Sequence, residues 1–327
     1  MSLADKRRVR KAGVRLNHKP SGSSLLSPNI RGMVALTASS CIFTFSDTLM
    51  KLATGTWPVS QSLAFRGVAA IVISLIAVHL SGQAAGLRAL GNPLVLLRSF
   101  FEATVALMFI LALSQMPIAD LTAILMLSPA VITAGAALFY GEAVGWRRWS
   151  AIAAGFIGML MVIQPGGTPR PDTYNFAALL GLGSVIGVAA RDLTTLRLKA
   201  NVPSVVVMFA TAVGGCLAGV VLAPAEAWQP FAVYPALALV VAAGLVTGAN
   251  FLLIISSRGV DLSAVAPFRY SAVIFAIIVG IVVFGDTPDP LAFAGMGVIV
   301  ASGIYLMHRE RVRRLARRDT TGVSDES

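Results

Sequence analysis

The sequence predicts an all-α membrane protein of about ten transmembrane helices, arranged as two five-helix repeats inverted relative to each other. Three observations lead there: a composition too apolar for a water-exposed surface, ten apolar stretches of spanning length, and an internal repeat. Of 327 residues, 56% are hydrophobic and 13% charged, and the mean hydropathy is +0.80. A soluble domain carries roughly 25% charged and about 45–50% apolar residues. The missing polar residues mean that most of the surface faces lipid.

A bilayer core about 30 Å thick takes roughly 20 apolar residues at about 1.5 Å each, because hydrocarbon offers the backbone no hydrogen bonds. Ten stretches fit: 31–51, 58–80, 93–113, 119–140, 147–164, 175–198, 203–222, 233–256, 262–284 and 290–308. Those at 203–222, 233–256 and 291–307 hold no charge. Turn residues separate them, as in Gly55-Thr56-Trp57-Pro58, Gln164-Pro165-Gly166-Gly167 and Thr287-Pro288-Asp289-Pro290.

The net charge of +11 could suggest nucleic acid, so its location matters. Fourteen of the 26 Lys and Arg residues lie in the tails, at 1–31 and 309–318. Beside a membrane these anchor to anionic headgroups, at about 1 kcal/mol per basic residue. With no soluble domain to read a groove, nucleic acid is excluded as a partner and the lipid bilayer takes its place. With the N-terminus cytoplasmic, that side also holds Arg88, Arg147, Arg148, Arg197, Lys199 and Arg258. The other side holds Lys51 and Arg170 among the acids Asp172, Glu226, Asp286 and Asp289. Basic loops mark the cytoplasmic side, so both termini are cytoplasmic and the span count is even. No apolar stretch precedes residue 30, which predicts no cleavable secretory signal. The basic, acid-poor tail at 1–30 is a cytoplasmic tail or an organellar transit peptide. A second basic and polar tail occupies 309–327.

Cys41 and Cys216 each lie within an apolar run and read as small buried hydrophobes. His18, His79 and His308 are scattered, and no CxxC or HExxH spacing occurs. Neither a metal nor any other cofactor is expected.

The internal repeat organises the chain. Ser46-Asp47-Thr48-Leu49-Met50-Lys51 followed by Pro58 has its counterpart in Arg191-Asp192-Leu193-Thr194-Thr195-Leu196-Arg197 followed by Pro203. Ala119-Asp120-Leu121-Thr122-Ala123 recurs as Val260-Asp261-Leu262-Ser263-Ala264, and Tyr140-Gly141-Glu142 as Phe284-Gly285-Asp286. The halves are therefore 31–165 and 175–308, with five spans each. An odd number of spans turns the second half upside down, an architecture of secondary transporters whose solute site lies between the halves near mid-membrane.

These residues resemble the EamA type of the drug/metabolite transporter superfamily. In the first half the likeness runs from Ala119 to Pro165, through Pro129, Gly141-Glu142, Gly155 and Gly158. In the second it runs from Val260 to Gly303, through Ala266-Pro267-Phe268-Arg269-Tyr270 and Phe284-Gly285-Asp286. The resemblance implies ten spans in two EamA repeats, a bacterial inner (plasma) membrane location, no enzymatic activity, and solutes such as amino acids, nucleosides, vitamins or toxic compounds. The stretch Phe45–Lys51 is also similar to a bacterial subgroup containing uptake carriers for riboflavin and S-adenosylmethionine. A small-molecule solute is the main partner expected. A coupling proton or counter-solute is a further candidate, and the oligomeric state is open.

An ionisable side chain inside a span costs about 2.5–3.5 kcal/mol on insertion scales, so it faces a cavity or a partner. Arg66, Arg98, Glu102 and Arg269 are such residues. Arg66 lies roughly 12 Å from the outer side, Arg269 about 11 Å from the cytoplasm, and Glu102 near the middle. One reading places Arg66, Glu102 and Arg269 around a cavity with Phe65, Phe101, Phe268 and Tyr270, suiting a solute with an anionic group and a ring. The other is a buried structural network, in which Arg98 and Glu102 pair four residues apart on one helix. Glu102 is also the candidate carboxylate for a coupling proton. Asp47 with Lys51, and Asp192 with Arg197, are either symmetry-related gates at opposite ends or plain helix-end charges.

Gly181-x-Gly183-x-x-x-Gly187 sits in an apolar span without a βαβ context, so it predicts close helix packing rather than a dinucleotide loop. Gly215/Gly219 and Gly244/Gly248 carry the same expectation. Pro129 and Pro267 predict kinks. Three rival functions remain to be set against an alternating-access carrier. A membrane enzyme lacks a catalytic constellation, and a channel lacks a filter loop. A non-transporting scaffold gains nothing from inverted halves.

Overall fold

The computed structural model describes residues 28–82, 84–141, 144–164, 172–195, 204–257 and 265–322. Every regular element among them is helical. In chain order they are α1 (Pro28–Thr54), α2 (Val59–Leu80), α3 (Pro93–Leu113), α4 in two pieces (Ile118–Leu125 and Ser128–Tyr140) and α5 (Trp146–Ile163). Then come α6 (Asp172–Thr195), α7 (Ser204–Leu222), α8 (Val233–Ser257), the composite α9, and α10 (Pro290–Gly322). α9 opens as a 3-10 turn (Ala266–Tyr270), continues as an α-helix (Ser271–Val279) and ends in a π turn (Gly280–Phe284). A 3-10 helix (Ala84–Gly91) joins α2 to α3.

Nine of these helices are long and apolar enough to cross a membrane among the described residues. The exception is α5, whose 18 residues open on Trp146-Arg147-Arg148-Trp149. Its charged first turn leaves too short an apolar remainder. The two interior prolines act as their chemistry dictates. A proline lacks the N–H that would bond back along a helix and is tolerated in a first turn. Accordingly α4 breaks at Met126-Leu127 and restarts with Pro129 in its first turn, while Pro267 opens the 3-10 turn of α9. At the C-terminal end the helix does not stop at residue 308 but runs to Gly322. Arginines are good helix formers, so the basic stretch 309–318 continues the helix.

The helices pair across the middle of the chain. α1 packs on α8, α3 on α6, α2 on α7 and α5 on α10, with further contacts of α2 with α8, α3 with α7, α1 with α9 and α4 with α6. Moving each helix on by five exchanges these pairs among themselves: α1·α8 becomes α6·α3, α2·α8 becomes α7·α3, and α2·α7 and α5·α10 map onto themselves. Buried serines fasten the α1·α8 seam, Ser39 Oγ donating to the Ala249 carbonyl (2.8 Å) and Ser46 Oγ to that of Ala242 (3.1 Å). Such bonds and small residues hold helices together where lipid removes the usual hydrophobic drive.

The self-paired helices approach closely. A methyl group at Gly219 would stand 2.4 Å from the Ala64 nitrogen, and one at Gly295 2.5 Å from the Gly158 carbonyl oxygen. The Gly181/Gly183/Gly187 face is also packed, against Leu121, Met108 and Val105. Gly215, Gly244 and Gly248 depart from the expectation: no neighbouring atom stands within 4 Å of where their Cβ would be. They lie on helix faces turned away from any partner.

The core fills the half of the bundle opposite the tails, around Met50, Trp57, Leu63, Ile110, Leu113, Ile118, Ile124 and Leu239. There the α7–α8 connection folds over the start of α2. Glu226 Oε2 accepts from the Ser60 N–H (2.7 Å), Trp228 Nε1 donates to Ser60 Oγ (2.9 Å), and Gln61 and Gln229 exchange two bonds of 2.9 Å. Glu226 thereby caps a helix whose own preceding residue, Pro58, makes no side-chain cap. Glu226→Ala is expected to cost about 1 kcal/mol, the usual worth of a lost cap, read as a lower thermal midpoint in detergent with solute exchange unchanged.

Candidate functional site

Two polar layers cross the bundle, one toward the tails and one at the opposite end. Each joins the first five helices to the last five.

The layer nearer the tails is built from α3, α6 and α7. Arg191 Nη1 donates to both oxygens of Glu102, at 3.0 and 3.2 Å, and Arg191 Nε donates to Asp192 Oδ1 at 2.8 Å. Arg98 Nη2 stands 3.7 Å from Glu102 Oε2, one helical turn away. Its other nitrogens reach hydroxyls of the second half, Thr195 Oγ1 at 3.2 Å and Thr211 Oγ1 at 3.1 Å. Glu102 is thus clamped between guanidiniums of α3 and α6, with side-chain exposures of only 17–21% across the three residues. Arg191, which holds this layer together, was not singled out from the sequence, although it stands beside Asp192 in the repeated motif.

The remaining candidates are placed individually. Arg66 is half-buried on α2 and interacts electrostatically with Asp47 first and Glu102 second. Arg269 is exposed on the 3-10 turn of α9, with Asp192 and Arg191 as its principal charged neighbours. No direct contact joins Arg66 to Arg269 among the described residues. Phe65 belongs to a ring cluster near the far end, 5.2 Å from Trp57 and 6.2 Å from Phe231. Phe101 is half-buried beside Phe100, with ring centroids 5.9 Å apart. Tyr270 is buried, its ring and hydroxyl filling the space left by the missing side chain of Gly303 on α10.

At the opposite end, Lys51 does not turn back to Asp47. Its Nζ donates to the Met116 carbonyl (2.7 Å), lies 3.9 Å from Asp286 Oδ2 and stands 4.9 Å from the centre of the Phe284 ring. Asp120 adds a further attraction to Lys51 and accepts from the Tyr174 hydroxyl at 2.7 Å. Gln164 Nε2 donates to Asp289 Oδ1 at 2.7 Å. With the core beneath them, these contacts close that end of the bundle. Arg197, the partner expected for Asp192, lies outside the described residues. Among the described residues no group of three His, Cys, Asp or Glu side chains could hold a metal ion.

Comparison with known proteins fits this frame. The sequence profile of the EamA-like transporter family matches residues 30–164. A riboflavin transporter of Rhizobium johnstonii is 30% identical over 211 residues, covering 63% of this chain and 67% of that protein. The pseudopaline exporter CntI of Pseudomonas aeruginosa is 25% identical over 285 residues, covering 86% of this chain and 97% of its own. An S-adenosylmethionine uptake transporter of Rickettsia bellii is 23% identical over 201 residues, 61% of this chain and 67% of the relative. A crystal structure 19% identical in sequence superposes with a TM-score of 0.59, covering 86% of this chain and 96% of its own. The chain belongs to the EamA-like transporter family of the drug/metabolite transporter superfamily. It is a multi-pass membrane transporter of small metabolites and not an enzyme.

Proposed function

We propose that the protein is a secondary-active transporter that moves a small organic metabolite by alternating access between two inverted five-helix repeats, 31–165 and 175–308. The observation that carries this reading is the helix pairing, which is preserved when every helix is advanced by five. Two halves that exchange roles can present one central site to either side in turn. Arg66, Glu102 and Arg269 belong to that site, with the termini cytoplasmic in a bacterial inner membrane. Relatives named as an uptake carrier and as an exporter are both compatible with this geometry.

The two polar layers act as gates in this cycle. At the far end the gate is Lys51 with Asp286, Met116 and Asp120, rather than Lys51 with Asp47. Toward the tails it is Glu102 and Arg98 with Arg191, Asp192 and Thr195. Each layer ties one half to the other, so each must break when its own side opens.

The test is counterflow of radiolabelled vitamins, nucleoside-like compounds and amino acids in proteoliposomes. At least one should exchange. Lys51→Asp and Asp286→Lys, each setting like charges together, should slow that exchange several-fold. The charge-swapped double variant should recover more than half of the loss. A swap no better than the worse single variant removes the far-end gate. Exchange of no solute at all, with Arg66 and Arg269 freely replaceable, favours a scaffold.

A further inference from the structure

We propose that the transported solute carries a carboxylate or phosphate group, and that Arg269 seats it; this rests on the transport reading above and names its substrate class.

The proposal follows from which intramembrane charges already have partners. Apart from Arg31 and Arg309 beside the tails, the described spans hold five Lys and Arg side chains, Lys51, Arg66, Arg98, Arg191 and Arg269, against four carboxylates, Asp47, Glu102, Asp120 and Asp192. Lys51 has Asp286 and Asp120 as its acidic neighbours. Glu102 and Asp192 are committed to Arg191, at 3.0 and 2.8 Å, and Glu102 to Arg98 as well. The remaining donors of Arg98 go to Thr195 and Thr211. Asp47 is the leading electrostatic partner of Arg66. Arg269 is the cation left over. Among the described residues it makes no hydrogen bond or ion pair, and its neighbouring charges there, Asp192 and Arg191, already satisfy each other.

The local fold holds Arg269 in this position. In the turn Ala266–Tyr270, successive side chains point about 120° apart. Tyr270, only 4% exposed, is wedged against Gly303 of α10. Anchoring that side chain turns the adjacent Arg269 away from the packed face, next to Phe268, which is 41% exposed. The turn also packs against α1, the helix that carries Asp47. A guanidinium offers five donors in a planar fork and is satisfied bidentately by a carboxylate or phosphate. A phenyl ring beside it offers a face to a planar group on the same solute. An unpaired charge within a span is costly, and a bound anion removes that cost for part of the cycle.

A phospholipid headgroup presents the same chemistry, so the test separates the two sources. Purified protein in phosphatidylcholine nanodiscs is melted with matched pairs differing in one anionic group: riboflavin against flavin mononucleotide, and nicotinamide against nicotinate. The anionic member of at least one pair should raise the melting temperature more than its neutral partner. At about 100 times its Kd the shift should reach several degrees. The difference should vanish in Arg269→Gln, survive in part in Arg269→Lys, and persist in Arg88→Gln, a substitution on the exposed connection. Neutral members that stabilise equally well, or discrimination retained by Arg269→Gln, overturn the proposal. So does stabilisation by phosphatidylglycerol that Arg269→Gln loses while no solute pair is distinguished, because Arg269 is then a headgroup anchor. Discrimination by a protein that exchanges neither member in proteoliposomes keeps the anion site and sinks the transport reading.

Discussion

Glu102→Ala is expected to abolish solute exchange and to cost about 3–5 kcal/mol of stability, the usual loss when one member of a buried ion pair is removed. Glu102 lies between Arg191 at 3.0 Å and Arg98 at 3.7 Å, and all three side chains are mostly buried. Without the carboxylate, two guanidiniums face each other at membrane depth with only Asp192 and two threonine hydroxyls to share. Glu102→Gln keeps the shape and loses the charge, so it should fall between wild type and alanine. Glu102→Gln combined with Arg191→Gln removes both charges, and should be more stable than Glu102→Gln alone. A double-mutant cycle on thermal unfolding in detergent gives the coupling directly, expected at about 1–3 kcal/mol. A coupling near zero would remove Glu102–Arg191 as a tie between the halves. Transport separates the two roles further: the double variant, though stabilised, should still exchange poorly, because its gate no longer makes and breaks an ion pair.

The same cluster shows what the sequence can and cannot reveal. Arg98 as a partner for Glu102 follows from a spacing of four on one helix, a rule that needs no tertiary knowledge. Arg191 is 89 residues from Glu102, and no local periodicity links them; only the packing of α3 on α6 does. Lys51 is the converse case. Its spacing from Asp47 invites a pair, yet its long side chain reaches the Met116 carbonyl and Asp286 on other helices. The breaks in α4 and α9 were legible because a proline's missing N–H acts on its own turn. The span count was legible from hydropathy except at α5, where the arginines of the first turn shorten the apolar run. Tyr270 and Phe65 show the remaining limit. An aromatic residue beside an intramembrane charge reads as a cavity wall, but whether it faces the interior or packs on a glycine depends on the neighbouring helix.

Glycine substitutions on α7 make that dependence measurable, since two glycines one turn apart are expected to behave oppositely. At Gly219 an added methyl stands 2.4 Å from the Ala64 nitrogen, 2.7 Å from the Ser60 carbonyl oxygen and 3.0 Å from the Ala64 Cα. All three are backbone atoms of α2, so no side chain can rotate out of the way and the two helices must separate. Overpacking of this kind costs about 1–3 kcal/mol and occasionally more. Here the cost spreads, because α2 also carries Arg66 and its first turn is tied to the α7–α8 connection through Glu226 and Trp228. Gly219→Ala should therefore lower the melting temperature and Gly219→Val should prevent stable purification. At Gly215 the Cβ would meet nothing within 4 Å. Gly215→Ala should be neutral, or stabilising by up to about 1 kcal/mol through helix propensity alone. Equal effects at the two positions would mean that α2 and α7 do not cross where the structure places them. If the predicted contrast appears, α2·α7 is a fixed crossing that maps onto itself between the halves. The motion between states must then lie in the pairs that carry the two polar layers.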